Sequence, residues 1–151
     1  MKNAILFAFS TASSAATIPV TLKTVEEQLK VDKSVASFSV PLGATINMDG
    51  TAVYQAVAAV FIAQTFGLDL SFTAQLGIIS TATLASIGAA AVPSGGIIVL
   101  VIVLAQAGIP EAGLALIFAV DRPLDMFRTV VNITGDATVS TIVSKFQKNQ
   151  S

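Results

Sequence analysis

The chain has 151 residues, 54% hydrophobic and 11% charged, with a formal net charge of −1 and a mean hydropathy of +0.81. A soluble domain carries about a quarter charged residues, so an ordinary soluble domain and a disordered chain are both excluded, and no basic stripe offers a nucleic-acid surface. The chain has neither Cys nor His, which excludes disulfides, thiol chemistry, serine–histidine hydrolysis and histidine–zinc chemistry for this chain alone.

Charged residues are grouped. Six lie from Lys23 to Lys33, five from Asp121 to Asp136, and Lys145 and Lys148 close the chain, while Lys2, Asp49, Asp69 and Glu111 stand alone. Between them run the charge-free stretches 3–22, 34–48, 50–68 and 70–110. A bilayer crossing takes about 20 mainly apolar residues. The positive-inside rule places Lys2, Lys23, Lys30, Lys33, Lys145 and Lys148 in the cytoplasm. Asp69 and Glu111 then lie outside. Residues 3–22 leave the cytoplasm and return, 34–68 cross outward, 70–110 dip in from outside, and 111–147 cross inward. No signal peptide is visible, because Ser and Thr interrupt the first apolar stretch. The expected fold is an all-α membrane protein of two inverted units, each a helical hairpin plus a transmembrane helix, a secondary-transporter pattern.

In the first unit, Ser10-Thr11-Ala12-Ser13-Ser14-Ala15-Ala16-Thr17-Ile18-Pro19 reads either as a tip between two half-length arms or as a helix kinked at Pro19. Next comes Pro41-Leu42-Gly43-Ala44-Thr45-Ile46-Asn47-Met48-Asp49-Gly50-Thr51. A lone Asp at membrane depth costs roughly 2.5–3.5 kcal/mol and marks function. Flanking Asn and Gly tolerate non-helical backbone. An unwound helix there offers carbonyls and a carboxylate to an alkali cation; the alternative is a loop with Asp49 in water. In the second unit, Gly88-Ala89-Ala90-Ala91-Val92-Pro93-Ser94-Gly95-Gly96 suits a tip between half-helices or a plain turn.

The last crossing is the most specific. Asp121, Asp125, Arg128, Asn132 and Asp136 are spaced 4, 3, 4 and 4, with Thr129 bordering them. At about 100° per residue they fall within about 80° on one helix face. Such a stripe cannot face lipid. Arg128 suits bidentate capture of a carboxylate and Asp125 capture of an ammonium. Together they fit an acidic amino acid, unless they only form an internal ion pair.

The strings SSAATIPVT, PLGATINMDGTA, LASIGAAAVPSGG and LDMFRTVVNITGD resemble the signature motifs of the sodium-coupled glutamate/aspartate transporters, the dicarboxylate/amino acid:cation symporters. The resemblance covers essentially the whole chain in motif order. It implies that residues 1–30 form a first re-entrant hairpin, 33–67 a broken seventh helix, 72–107 a second hairpin acting as the extracellular gate, and 111–147 the eighth helix. The chain would then be the C-terminal part of a multi-pass cell-membrane protein, a homotrimer when complete, lacking the first six helices. It implies acidic amino-acid symport with sodium by an elevator-type transport domain, and no enzyme.

By the same resemblance, Arg128 binds the substrate side-chain carboxylate and Asp125 its amino group. Asn132, Thr129 and Thr51 contact the substrate, and the tips at Ser13-Ser14 and Val92 to Gly96 close over it. Sodium falls to Asp136 with Gly43, Asn47 and Asn132. A second sodium falls to Asp49, Asn47 and Thr45, and a third lies between Thr45 and Ser86, Ile87 and Ala89, with Met48 central. Family members carry an arginine before the first-hairpin serines or after the aspartate matching Asp125. Here Ala12 and Met126 stand there, with Arg122 nearby, so whether Arg122 takes that role is a question for the structure. Ala91 and Ala89 also depart from the archaeal tip. The alternatives are a C4-dicarboxylate:cation symporter and a truncated fragment without function of its own. A channel is a further reading, as is an intramembrane hydrolase using Ser13 or Ser14 with Asp49, although the hydrolase lacks a general base.

Overall fold

A computed structural model describes residues 1–149. The chain runs α1 (Lys2–Thr11), α2 (Ser14–Glu27), α3 (Lys33–Ile46), α4 (Asp49–Thr65), α5 (Phe72–Ile87), α6 (Gly95–Gln106), a 3₁₀ turn (Glu111–Gly113) and α7 (Leu114–Lys148), with no strand among the described residues. Short polar residues start three of the helices. Ser13, Asp32 and Ser71 each accept from a backbone N–H of the first turn of α2, α3 and α5, satisfying donors that a helix start leaves orphaned.

The first break lies at Ala12 and Ser13, not at Pro19. Ala12 takes the left-handed conformation (φ 49°), and α2 carries Pro19 inside it. Asn47 and Met48 interrupt the apolar stretch between α3 and α4. The turn between α5 and α6 ends on Ser94, also left-handed at φ 59°.

Helices adjacent in sequence pack as pairs, α1 on α2 and α5 on α6, and α7 lies against α1, α2, α3 and α4. Its 35 residues span about 52 Å. Apolar packing is confined to the two ends of the bundle. At one end Ala59, Ile62, Ile78, Leu100, Leu104 and Ile117 form the largest core. At the other, Val25, Ala36, Val40 and Ala137 join α2, α3 and α7, beside a small cluster of Ala4, Ala8 and Ile133. Between them, beside Ala12 and Met48, lie the buried polar groups Ser14, Thr51, Gln55, Asp125, Arg128 and Asn132. The breaks of α1–α2, α3–α4 and α5–α6 all arrive at this middle layer.

One stretch, Lys33–Thr65, is long and apolar enough to cross a membrane among the described residues, and α5 and α6 are shorter apolar helices. α7 is long enough, but its polar stripe dilutes its hydropathy. Large apolar side chains face outward all around, including Phe38, Phe72, Leu84 and Ile98, each more than 70% exposed.

Candidate functional site

The helical period of α7 brings Asp121, Asp125, Arg128, Thr129, Asn132 and Asp136 to one face, and all six are buried. Arg128 is held on three sides. Its Nε donates to Asp125 Oδ1 at 2.8 Å, its Nη1 lies 3.8 Å from Asp121 Oδ1, and its guanidinium carbon sits 4.5 Å from the Tyr54 ring centre, a cation–π stack. Tyr54 in turn donates its hydroxyl to Asp121 at 2.8 Å. Arg128 Nη1 has no hydrogen-bond partner although it is buried. Leaving such a donor unpaired costs about 1–3 kcal/mol or more. That atom points past Gly96, where an added Cβ would collide with it. The Asp125–Arg128 pair lies within one helix, so it does not itself tie helices together.

The two tips close over this layer. Ser13 Oγ donates to the Ala91 carbonyl at 2.8 Å, and Ala15 N–H reaches the same oxygen at 3.2 Å. Ser94 bonds to α7 twice, through N–H to Asp125 Oδ2 at 2.6 Å and through Oγ to Asp121 Oδ2 at 3.0 Å. Gln55 Nε2 donates to the Gly96 carbonyl at 3.4 Å, leaving its Oε1 buried and unpartnered. The space left between them is a cavity of about 10 Å³, room for one water. Asp125, Arg128, Thr129 and Asn132 line it from α7, Met48 and Thr51 from the α3–α4 break, and Ser14, Val92 and Gly96 from the tips.

A second cluster lies one turn further along α7. Asn47 Nδ2 donates to Asp136 Oδ1 at 2.9 Å and to the Asn132 carbonyl at 3.4 Å. Gly43 packs so closely on the Asp136 carboxylate that any Cβ would collide with it. Asn132 Oδ1 accepts from Gly50 N–H at 2.8 Å, and its Nδ2 meets Met48 Sδ at 3.2 Å and Thr51 Oγ1 at 3.3 Å. A carboxylate beside amide and backbone carbonyl oxygens is a hard-oxygen set suited to an alkali cation. Asp121, Asp125 and Asp136 against Arg128 leave the buried layer a formal charge of −2, an imbalance that cations would relieve.

A family model described as the sodium:dicarboxylate symporter family matches residues 1–146. The chain belongs to the sodium:dicarboxylate symporter family. It is 54% identical to excitatory amino acid transporter 3 of Mus musculus over 150 residues, 99% of this chain and 29% of that protein. It is 52% identical to an excitatory amino acid transporter of Caenorhabditis elegans over 141 residues, 93% of this chain and 28% of that protein. To excitatory amino acid transporter 5 of Homo sapiens it is 50% identical over 142 residues, 94% of this chain and 25% of that protein. The chain thus spans under a third of the length of these relatives. It is a membrane protein of this symporter family.

Not every residue singled out in the sequence joins the clusters of this symporter chain. Asp49 is exposed, but its carboxylate lies beside Gly135 together with the Asn47 amide, at the edge of the second cluster; Thr45 is exposed, and its Oγ1 donates to the Pro41 carbonyl of its own helix at 3.3 Å. Ser86 is buried with its hydroxyl bonded back to the Thr83 carbonyl; Ala89 is buried and Ile87 exposed. Arg122 is exposed and makes no ion pair among the described residues. Conversely, Tyr54 and Gln55 hold the site and were missed, while Ser94 falls within the expected tip at 92–96. Thr51, Tyr54 and Gln55 at i, i+3 and i+4 form a polar face on an apolar helix, a signal the charge pattern overshadowed.

Proposed function

We infer that this chain carries the substrate and ion sites of a sodium-coupled symporter for acidic amino acids. The observation that carries the reading is Arg128: a buried guanidinium fixed by Asp125, Asp121 and Tyr54 with Nη1 left free beside the small cavity. A substrate carboxylate supplies the acceptor that this donor lacks. Asp125 retains lone pairs for an ammonium. Thr51, Thr129 and Asn132 add hydrogen bonds, and Ser13, Ser14, Val92 and Gly96 belong to the covering tips. Sodium is co-transported cargo. Asp136, Asn47, Asn132 and Gly43 hold one ion, and Asp49, Asn47 and Thr45 contribute to a second, with Met48 between ion and substrate. A third ion falls between Thr45 and the Ser86, Ile87 and Ala89 backbone. The formal charge of −2 supports cation coupling, since bound sodium offsets buried carboxylates before and while the substrate enters.

A cavity that holds one water holds no amino acid, so a tip must move to admit substrate. Lifting the second tip breaks both Ser94 bonds and both bonds to the Ala91 carbonyl. The two helix pairs act as re-entrant hairpins in an elevator-type transport domain, within a multi-pass homotrimer of the cell membrane. A C4-dicarboxylate is the second reading, and the acidic layer disfavours it, because a dianion lacks the ammonium that Asp125 and Asp121 attract. The names of the excitatory amino acid transporters support the amino-acid reading. Uptake of labelled aspartate and succinate into proteoliposomes under an imposed sodium gradient tests it. Sodium-dependent aspartate uptake is expected; succinate uptake without aspartate uptake would reverse the order of the two readings.

A further inference from the structure

The lysines collect at one end of the bundle, beside an apolar cleft. Hydrogen bonds bring the start of α1, the α2–α3 turn and the end of α7 together there: Met1 with Gln28, Asp32 N–H with Ser144 Oγ, and Lys148 Nζ with the Lys30 carbonyl. Lys2, Lys23, Lys30, Lys33, Lys145 and Lys148 therefore share this end with Glu26, Glu27 and Asp32, leaving it net positive, and none of the lysines forms an ion pair among the described residues. The opposite end carries Asp69 and Glu111 and no basic residue. On the outer face of α7 at the basic end lies a cleft of about 320 Å³. Its walls include Thr134, Thr138 and Thr141, whose hydroxyls all donate into their own helix, to Val130, Thr134 and Ala137 carbonyls at 2.7–2.8 Å. With those hydroxyls bonded back into the helix, the lining is mainly apolar, with Ile142 on the same helix, Met1 and Leu29 from outside it and Lys145 among the lining residues.

We propose that this cleft, with Lys145, is a binding surface for an anionic phospholipid, its acyl chain in the threonine-walled cleft and its phosphate at the lysines. Charge and shape agree on the occupant. An apolar slot that ends at unpaired cations fits a molecule with an apolar tail and an anionic head. Each lysine near an anionic surface contributes about 1 kcal/mol, roughly fivefold in binding. The inference rests on the chain lying in a membrane and stands apart from the transport reading.

The test is native mass spectrometry of the transporter released from nanodiscs of equimolar phosphatidylglycerol and phosphatidylcholine, with thermal melting in each lipid. Phosphatidylglycerol should be retained at least about fivefold over phosphatidylcholine and should raise the melting temperature. Lys145→Gln, an exposed change that spares the packing, should lower that preference about fivefold. Thr138→Trp should fill the cleft and remove the retained lipid, while millimolar inorganic phosphate should displace nothing. Equal retention of both lipids, an unchanged preference in Lys145→Gln, or displacement by phosphate alone would overturn the proposal. If Thr138→Trp fails to fold, the Lys145→Gln and phosphate arms still decide it. Substrate uptake enters none of these readouts, so loss of the transport reading would leave this one standing.

Discussion

Arg128 is the only buried cation among the described residues, and its neighbours leave one donor free. Removing it leaves Asp121 and Asp125 as uncompensated buried carboxylates. Arg128→Thr is therefore expected to weaken acidic substrate binding by about 10- to 100-fold or more, the loss of a charge-assisted pair, with neutral amino acids gaining relative access. Isothermal calorimetry on the purified transporter checks it, and unchanged aspartate affinity would remove Arg128 from the site. Asp136→Asn keeps the shape beside Asn47 and Gly43 but deletes a charge. Sodium dependence should weaken first and substrate affinity second, through linkage between the two ligands. Aspartate titrations at several sodium concentrations read both effects. An apparent affinity that follows sodium as in the unaltered protein would exclude Asp136 from ion binding.

Between elements, closeness of approach matters more than any single bond. The start of α6 lies against the Arg128 guanidinium at Gly96, and α3 lies against the Asp136 carboxylate at Gly43. Gly96→Ala should displace the flexible guanidinium and lower substrate affinity while sodium binding persists. Gly43→Ala should weaken sodium binding first, with substrate affinity following through linkage, and binding isotherms for the two ligands separate the cases. The start of α3 makes a prediction about pH. The hydroxyl and backbone N–H of Ser34 hold the Asp32 carboxyl below its ordinary value of 3.8. A depressed carboxylate contributes fully above the unfolded value and loses its contribution as pH falls through the folded one. Amide exchange in the first turn of α3 should therefore quicken below about pH 4 relative to the acid-catalysed trend. Asp32→Asn should abolish that inflection.

At the scale of the molecule, the outward faces carry large apolar side chains throughout, with Phe38, Phe72, Leu84 and Ile98 all mainly exposed. Lipid or further protein must cover them. The 151 residues also span only 29% of the mouse relative. Purified by itself in mild detergent, this stretch is expected to aggregate and to show no sodium-dependent aspartate binding. Co-expression with a segment supplying the remaining family helices should recover some of it. Size-exclusion chromatography and radioligand binding provide the measurement, and saturable sodium-dependent binding by these residues alone would show the layer to be self-sufficient.

Helical class, membrane residence and family were legible in the residues alone. Charge spacing and apolar run length are local quantities, and the motif strings are contiguous. The stripe from Asp121 to Asp136 was legible for the same reason, since a helix of known period determines which of its own residues share a face. What lies opposite that face was not. Tyr54 stacks on Arg128 across 74 positions of sequence, and Ser94 reaches Asp121 and Asp125 only because the α5–α6 turn is folded onto α7. Arg122 shares the helix of Arg128, yet its position on the outward side leaves it unpaired. No period within one segment encodes such pairings. They follow from how separate helices pack, and only the tertiary structure decides that.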